Sequence, residues 1–125
     1  MNFMGVLAYM DGKEDSQGES FAPDCKVDIS DNITISYNFE PGPDKILGVA
    51  KVFDDKNYQG VRVLKYEIET DDEKVPEHIT RTLVPCLGGK ILGRNRDNQI
   101  TDIFVSSIGL AVLNADNRIK ALKDE

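Results

Sequence analysis

In the stretch "ITISYNF", Ile33, Ile35 and Tyr37 alternate with Thr34, Ser36 and Asn38. A period of two sends successive side chains to opposite faces of an extended chain, so this segment reads as a half-buried strand. The alternation constrains the fold more than any other feature, because helical signals gather at one short place only.

The rest of the chain repeats the theme of short apolar runs broken by turn-forming residues. "FMGVLAYM" reads as a strand that ends at the exposed loop "DGKEDSQGES", and "FAPDCKVDISDN" leads from that loop into "ITISYNF". "EPGPD", residues 40 to 44, carries two prolines and a glycine and reads as a turn. "KILGVAKVF" and "GVRVLKYEIE" form a hairpin joined by a medium-length loop, "DDKNYQ", with a slip of phase in the second run that predicts a bulge. "DDEKVPEHITRTLVP" gathers the helix signals: acidic residues before the element, Pro76 in a first turn, and Ile79, Leu83 and Val84 on one face. Two strands follow, "CLGGKILGR" and "QITDIFVSSIGLAVL", the second long enough to bend near Ser106 and Ser107. "NADNRIKALKDE" reads as a turn and a short tail.

This makes six or seven strands and one short helix in a mostly β (α+β) chain, with no βαβ alternation. The 125 residues suit one domain, 1–125. A small closed or nearly closed antiparallel β-barrel is the economical arrangement, because it hides strand edges.

The charge balance narrows the partners. With 22 acidic residues against 15 basic, the net charge of −7 repels a phosphate backbone, which argues against nucleic-acid binding. Arg94 and Arg96 lack interleaved aromatics and read as part of a solvated loop. No segment reaches the ~20 apolar residues of a membrane span. The first residues have no basic region and no long apolar run, so the expectation is a reducing, cytoplasmic setting in which Cys25 and Cys86 are thiols.

For chemistry the chain offers little. One histidine and two distant cysteines make a metal site improbable, and no cofactor is expected. "LGGKILG" has glycines without the order of a phosphate-binding loop. A nucleophilic Cys86 would need an oriented base, for which His78 is the one imidazole. Against that dyad stands the bland reading: a surface His78, and a Cys86 that serves as a small buried hydrophobe with no basic neighbour in sequence.

The order of the pieces resembles that of the phage prohead (capsid-maturation) serine proteases, relatives in fold of the herpesvirus capsid protease. That family opens with a "G-x-A-x-x-(F/W)" strand, an acidic glycine-containing loop and "F-x-P-G-A-F"; "GVLAYM", "EDSQGES" and "FAPDC" fall in the same order. A strand ending in Asn-His, a loop and a "hydrophobic-Gly-x-A" strand are matched by "ISYNF", "EPGPDK" and "ILGVAKVF". The "Gly-Leu-x-hydrophobic" strand is matched by "QGVRVLKYEIE", and the later "x-S-hydrophobic-G-(F/G)" and "E-V-S-L-V-x-x-P-A-N-P" by "PCLGG" and "SIGLAVLNADN". The likeness covers nearly the whole chain in layout and short loose motifs.

What the resemblance implies is a barrel fold and a bacteriophage or prophage origin. Carried over position by position, it removes the catalytic set. The base histidine falls on Phe39, the nucleophilic serine on Cys86 and the acidic residue on Ser107. The implied protein is a catalytically dead, non-enzymatic structural or assembly protein in the virion or host cytoplasm. Its barrel would bind the capsid shell, the scaffold or itself as a homo-oligomer, with the "DGKEDSQGES" and "EPGPD" loops as contact surfaces. Two other readings stand beside it: a cysteine-type maturation protease using Cys86 and His78, and a small acidic inhibitor of a host protein.

Overall fold

The computed structural model describes residues 2–14, 18–37, 42–70, 75, 84–111 and 122–124. They form seven strands: β1 (Asn2–Tyr9), β2 (Phe21–Tyr37), β3 (Ile46–Tyr58), β4 (Val61–Glu69), β5 (Val84–Arg94), β6 (Ile100–Ala111) and β7 (Leu122–Asp124). A 3-10 turn, Pro43–Lys45, precedes β3. The chain is mostly β, as its alternation predicts, and the sheet curls into a half-barrel. The strand order is β1-β4-β3-β2-β6-β5-β7.

The core lies on the concave side. Ile33 and Ile35 of β2 meet Ala50 and Gly48 of β3 on one flank, and Ile35 meets Ile108 of β6 on the other. Leu64, Ile68, Ile103, Val105 and Leu110 complete a cluster from which water is excluded. Burying one such side chain stabilises the fold by about 1.5–3 kcal/mol. The phase of β6 changes within this core, since Ile103 and Val105 point inward on one side of Ser106, and Ile108 and Leu110 on the other. Opposite, Gly88 pairs with Ser107 and Gly89 with Val105, which leaves Ser106 as the extra residue of a bulge. Gly89 sits at φ 154, and a Cβ there would overlap the Phe104 carbonyl, so the bulge needs glycine at that point.

Four ladders are antiparallel, while β2 runs parallel to β6 and β5 parallel to β7. The parallel pairs have a topological cause: β2 and β6 are joined through β3, β4 and β5, so no tight turn fixes their direction.

Several sequence-based boundaries move. "FAPDCKVD" is already strand, because Phe21, Ala22 and Cys25 are buried. Pro23 is tolerated because the β2–β6 register is interrupted between Phe21 and Lys26, where no ladder bond is required. The "DDKNYQ" loop shrinks to a two-residue turn, Gln59-Gly60, with φ values of 52 and 89, the left-handed pair that suits a tight hairpin. The charged residues before it remain in β3 because they pair across the hairpin: Arg62 donates twice to Asp54 (2.9 and 2.7 Å), and Lys65 donates to Asp55 (3.2 Å). The predicted bulge is present, but the extra residues lie in the strands flanking β4, between Val6 and Ala8 and between Asp55 and Tyr58.

Val84 opens β5 rather than closing a helix, and Leu122–Asp124 adds a short strand where a tail was expected. Of the helix expected over 71–85, residues 71–74 and 76–83 lie outside the described residues, while Val75 is buried in the core.

Candidate functional site

The three positions singled out by resemblance are Phe39, Cys86 and Ser107. Phe39 lies outside the described residues, and so does His78, the alternative base. Cys86 and Ser107 do come together on the sheet. Cys86 of β5 pairs with Gly109 of β6, two residues beyond Ser107, which itself pairs with Gly88. Diagonal neighbours of this kind stand about 7–8 Å apart on a shared face.

That face is the outer one. Leu87 and Ile91 of β5 point into the core, so the alternation sends Cys86, Gly88 and Lys90 the other way. The sequence carried this signal, because Cys86 shares its phase with Lys90. Cys86 is nevertheless 6% exposed, and its Sγ donates to the Val84 carbonyl at 3.5 Å. The partners of this patch in β2 are Thr34, opposite Ser107, and Ser36, opposite Gly109. Sheet pairing therefore places Gly88, Gly109, Thr34 and Ser36 beside Cys86 and Ser107.

Cys25 behaves differently. It lies in the core cluster at 1% exposure, and its Sγ contacts the Lys26 carbonyl at 3.6 Å. Burial pushes its pKa up to about 11, with the Arg62 charge opposing the rise. Among the described residues no group of His, Cys, Asp and Glu side chains is arranged to hold a metal ion.

The two loops expected as contact surfaces, and one face of the sheet that was not expected, stand apart from this patch. The "DGKEDSQGES" loop, whose residues 15–17 lie outside the described set, is tied down at both ends. Gly12 N donates to the Phe21 carbonyl (2.9 Å), Ile100 N donates to the Ser20 carbonyl (2.8 Å), and Arg94 donates to Glu19 at 3.2 Å. Of "EPGPD", the described Gly42 and Asp44 belong to a turn closed by Lys45 N on the Gly42 carbonyl at 3.1 Å.

The unexpected face is the outer one of β1, β4 and β3. Met4 (60% exposed), Val49 (56%) and Phe53 (40%) stand there among Lys51, Lys65 and Glu67. Met4, Phe53, Asp55, Lys56, Lys65 and Glu67 line an open depression of about 440 Å³. Lys65 is held over the Tyr58 ring at 5.1 Å while it bridges to Asp55. Hydrogen bonding from Asn57 N and Lys65 keeps the Asp55 pKa below its ordinary value. The readable signal was "VAKVF", in which both phases of the strand are apolar, so one of the two must face outward.

Fold and site together define a small mostly-β half-barrel protein with a buried thiol on its outer face and an apolar, charge-studded surface beside its first strand. No family model, no curated protein and no solved structure matches the chain.

Proposed function

We propose that the protein is a non-enzymatic bacteriophage or prophage assembly protein, a half-barrel resembling the prohead proteases that binds capsid or scaffold protein. The observation that supports the non-enzymatic part is the burial of Cys86, whose 6% exposure keeps a substrate carbonyl from reaching the thiol unless the strand opens. The binding part is supported by the matching order of motifs along the chain and by the exposed face of β1, β4 and β3. Charge supports a protein partner over packaged DNA, since the chain carries −7. Repetition of a site over a capsid shell gives avidity to weak contacts of this kind. The protein then acts in the virion or the host cytoplasm.

The test is co-sedimentation with proheads, or with their shell or scaffold protein, alongside incubation with the capsid precursor. Co-sedimentation with intact precursor bands is the expected result. Absence of binding to shell and scaffold alike would sink the assembly reading. Discrete cleavage abolished by Cys86→Ala would replace it with a cysteine protease.

A further inference from the structure

Of the seven large apolar side chains exposed among the described residues, four, Met4, Tyr9, Val49 and Phe53, share the outer face of β1, β4 and β3. The two ladders set this face in rows across the strands. Met4, Glu67 and Lys51 form one row, and Val6, Lys65 and Phe53 form the next. These side chains point outward because Ala50 and Val52 of β3 and Leu64, Tyr66 and Ile68 of β4, which alternate with them, pack in the core.

The two rows are about 7 Å apart and complement each other column by column. On β4 an acid stands beside a base, Glu67 beside Lys65. On β1 both positions are apolar, Met4 and Val6. On β3 a lysine stands beside an aromatic ring, Lys51 beside Phe53. A half-turn about an axis that lies in the face, runs across the strands and passes between the rows exchanges the members of each pair. A half-turn about β4 itself would instead set Glu67 on Glu67 and Lys65 on Lys65.

We propose that this face is a self-association surface, on which a second copy of the chain docks face to face across that two-fold axis. Glu67 of each copy meets Lys65 of the other, Met4 meets Val6, and Lys51 lies on the Phe53 ring, where a cation is attracted to the aromatic face. The occupant follows from this match. A partner must offer apolar, ionic and aromatic columns in that order with the acid and base reversed, and the chain's own face, turned over, offers them. Lys65 keeps its bridge to Asp55 in the dimer, since an ammonium carries three donors.

Charge permits the contact although each copy carries −7. On this face Lys51 and Lys65 stand against Asp55, Glu67 and Glu69, so it is close to neutral, and the exposed acids of β2, Asp24, Asp28 and Asp31, lie beyond β3 in the strand order. The face is the convex one, so two copies touch along β4 and its flanks only. Three strands by eight residues give a footprint of about 14 by 27 Å, or about 400 Å² per copy, half that of a standard interface. The dimer is accordingly weak, with Kd on the order of 0.1–1 mM, and the face stays open at micromolar concentration. The contact does not rest on the capsid reading, and its failure would leave that reading standing.

The experiment is sedimentation of the full chain up to about 1 mM, with Glu67→Lys and Lys65→Glu examined separately and mixed. Wild type is expected to form a reversible dimer of twice the 13.9 kDa chain mass. Each variant alone sets like charges on each other and dimerises at least tenfold more weakly. Mixed in equal amounts they regain wild-type affinity as a heterodimer, because the two lysines of one copy then meet the two glutamates of the other. Thermal unfolding of each variant shows whether it is folded. If either is not, Phe53→Lys, which sets a lysine on Lys51 of the second copy, replaces the pair and weakens the dimer at least tenfold, while Leu92→Lys on β5 leaves it unchanged. A wild type that stays monomeric up to about 1 mM overturns the proposal. So does a wild-type dimer whose folded charge variants fail to rescue each other, or one that Phe53→Lys leaves intact, because that dimer uses another surface.

Discussion

On the inner face of the sheet Ile35, Ile108 and Leu110 sit in adjacent strands with no solvent exposure, while on the outer face of β1, β4 and β3 the equally apolar Met4, Val49 and Phe53 remain open. The two faces share a backbone and differ in curvature. Side chains on the concave side converge until they exclude water; those on the convex side splay apart and each keeps part of its surface wet. Over β2, β6 and β5 the outer face takes a third form, with Ser36, Cys86, Gly88 and Gly109 all buried and all small. Apolar character alone therefore does not place a residue in this protein's core. Its phase along the strand and the position of that strand in the curl decide it.

The sharpest way to break this comparison is to truncate one residue on each face. Ile108→Ala removes a fully buried side chain from a core that cannot collapse onto the gap, and is expected to cost about 3 kcal/mol, lowering Tm by roughly 10 °C. Val49→Ala, on the open outer face, is expected to change stability by less than about 0.5 kcal/mol. Thermal and urea unfolding of the two variants provides the measurement. A Val49→Ala loss approaching that of Ile108→Ala would mean that the outer face is covered in solution.

A smaller effect tests how the turn end of the hairpin is held. Asp54 accepts two hydrogen bonds from Arg62 and one from Lys56, and the Arg62 bonds above all lower its pKa from 3.8 to about 2. Arg62 also donates to the Pro23 carbonyl at 2.9 Å, so the pair ties the β3–β4 hairpin to β2. Because the folded-state pKa lies below the unfolded value, the stabilisation is fully present above pH 3.8 and is lost as pH falls toward 2. After discounting for solvent screening it amounts to about 1 kcal/mol. In wild-type protein this loss adds to the general acid destabilisation between about pH 5 and pH 2; in Arg62→Met most of it should already be missing at neutral pH. Parallel acid titrations of stability would show that difference, and superimposable slopes would remove the pair from the account.

Much of this architecture is legible in residue order, and the exceptions have physical causes. Ile33, Ile35 and Tyr37 announce their strand because polar residues separate them, and Ser106-Ser107 marks a real bulge. Pro23 and Asp24 disguise the first half of β2, since their turn-like character is accommodated where the ladder is interrupted. The acidic "DD" of β3 resembles a loop until Arg62 and Lys65 are seen across from it. The parallel pairing of β2 with β6 has no local signature, because it depends on the path taken by three intervening strands. Of the candidate site, Cys86 and Ser107 are singled out by a resemblance in motif order; their proximity follows from the β5–β6 register, and the side of the sheet they occupy from the phase shared with Lys90.

The finest comparison is between the two thiols, one on each face. Cys25 combines 1% exposure with a pKa of about 11 against an ordinary 9.0. Its thiolate fraction near neutral pH is thus about a hundredfold below that of an unperturbed thiol. Reaching it with an alkylating reagent also requires the core to open. Cys86 lies two residues from Val84, which begins β5 and is 38% exposed, so fraying of that strand end is enough to uncover it. In the native protein at neutral pH Cys86 should be alkylated faster than Cys25, and both more slowly than in denaturant, with mass spectrometry of the two peptides resolving the rates. Cys86→Ala should leave only the slow phase and Cys25→Ala only the faster one. Equal rates would erase the distinction between the faces. A Cys86 that outpaces the denatured-state thiol would instead reveal an activated nucleophile and overturn the non-enzymatic reading.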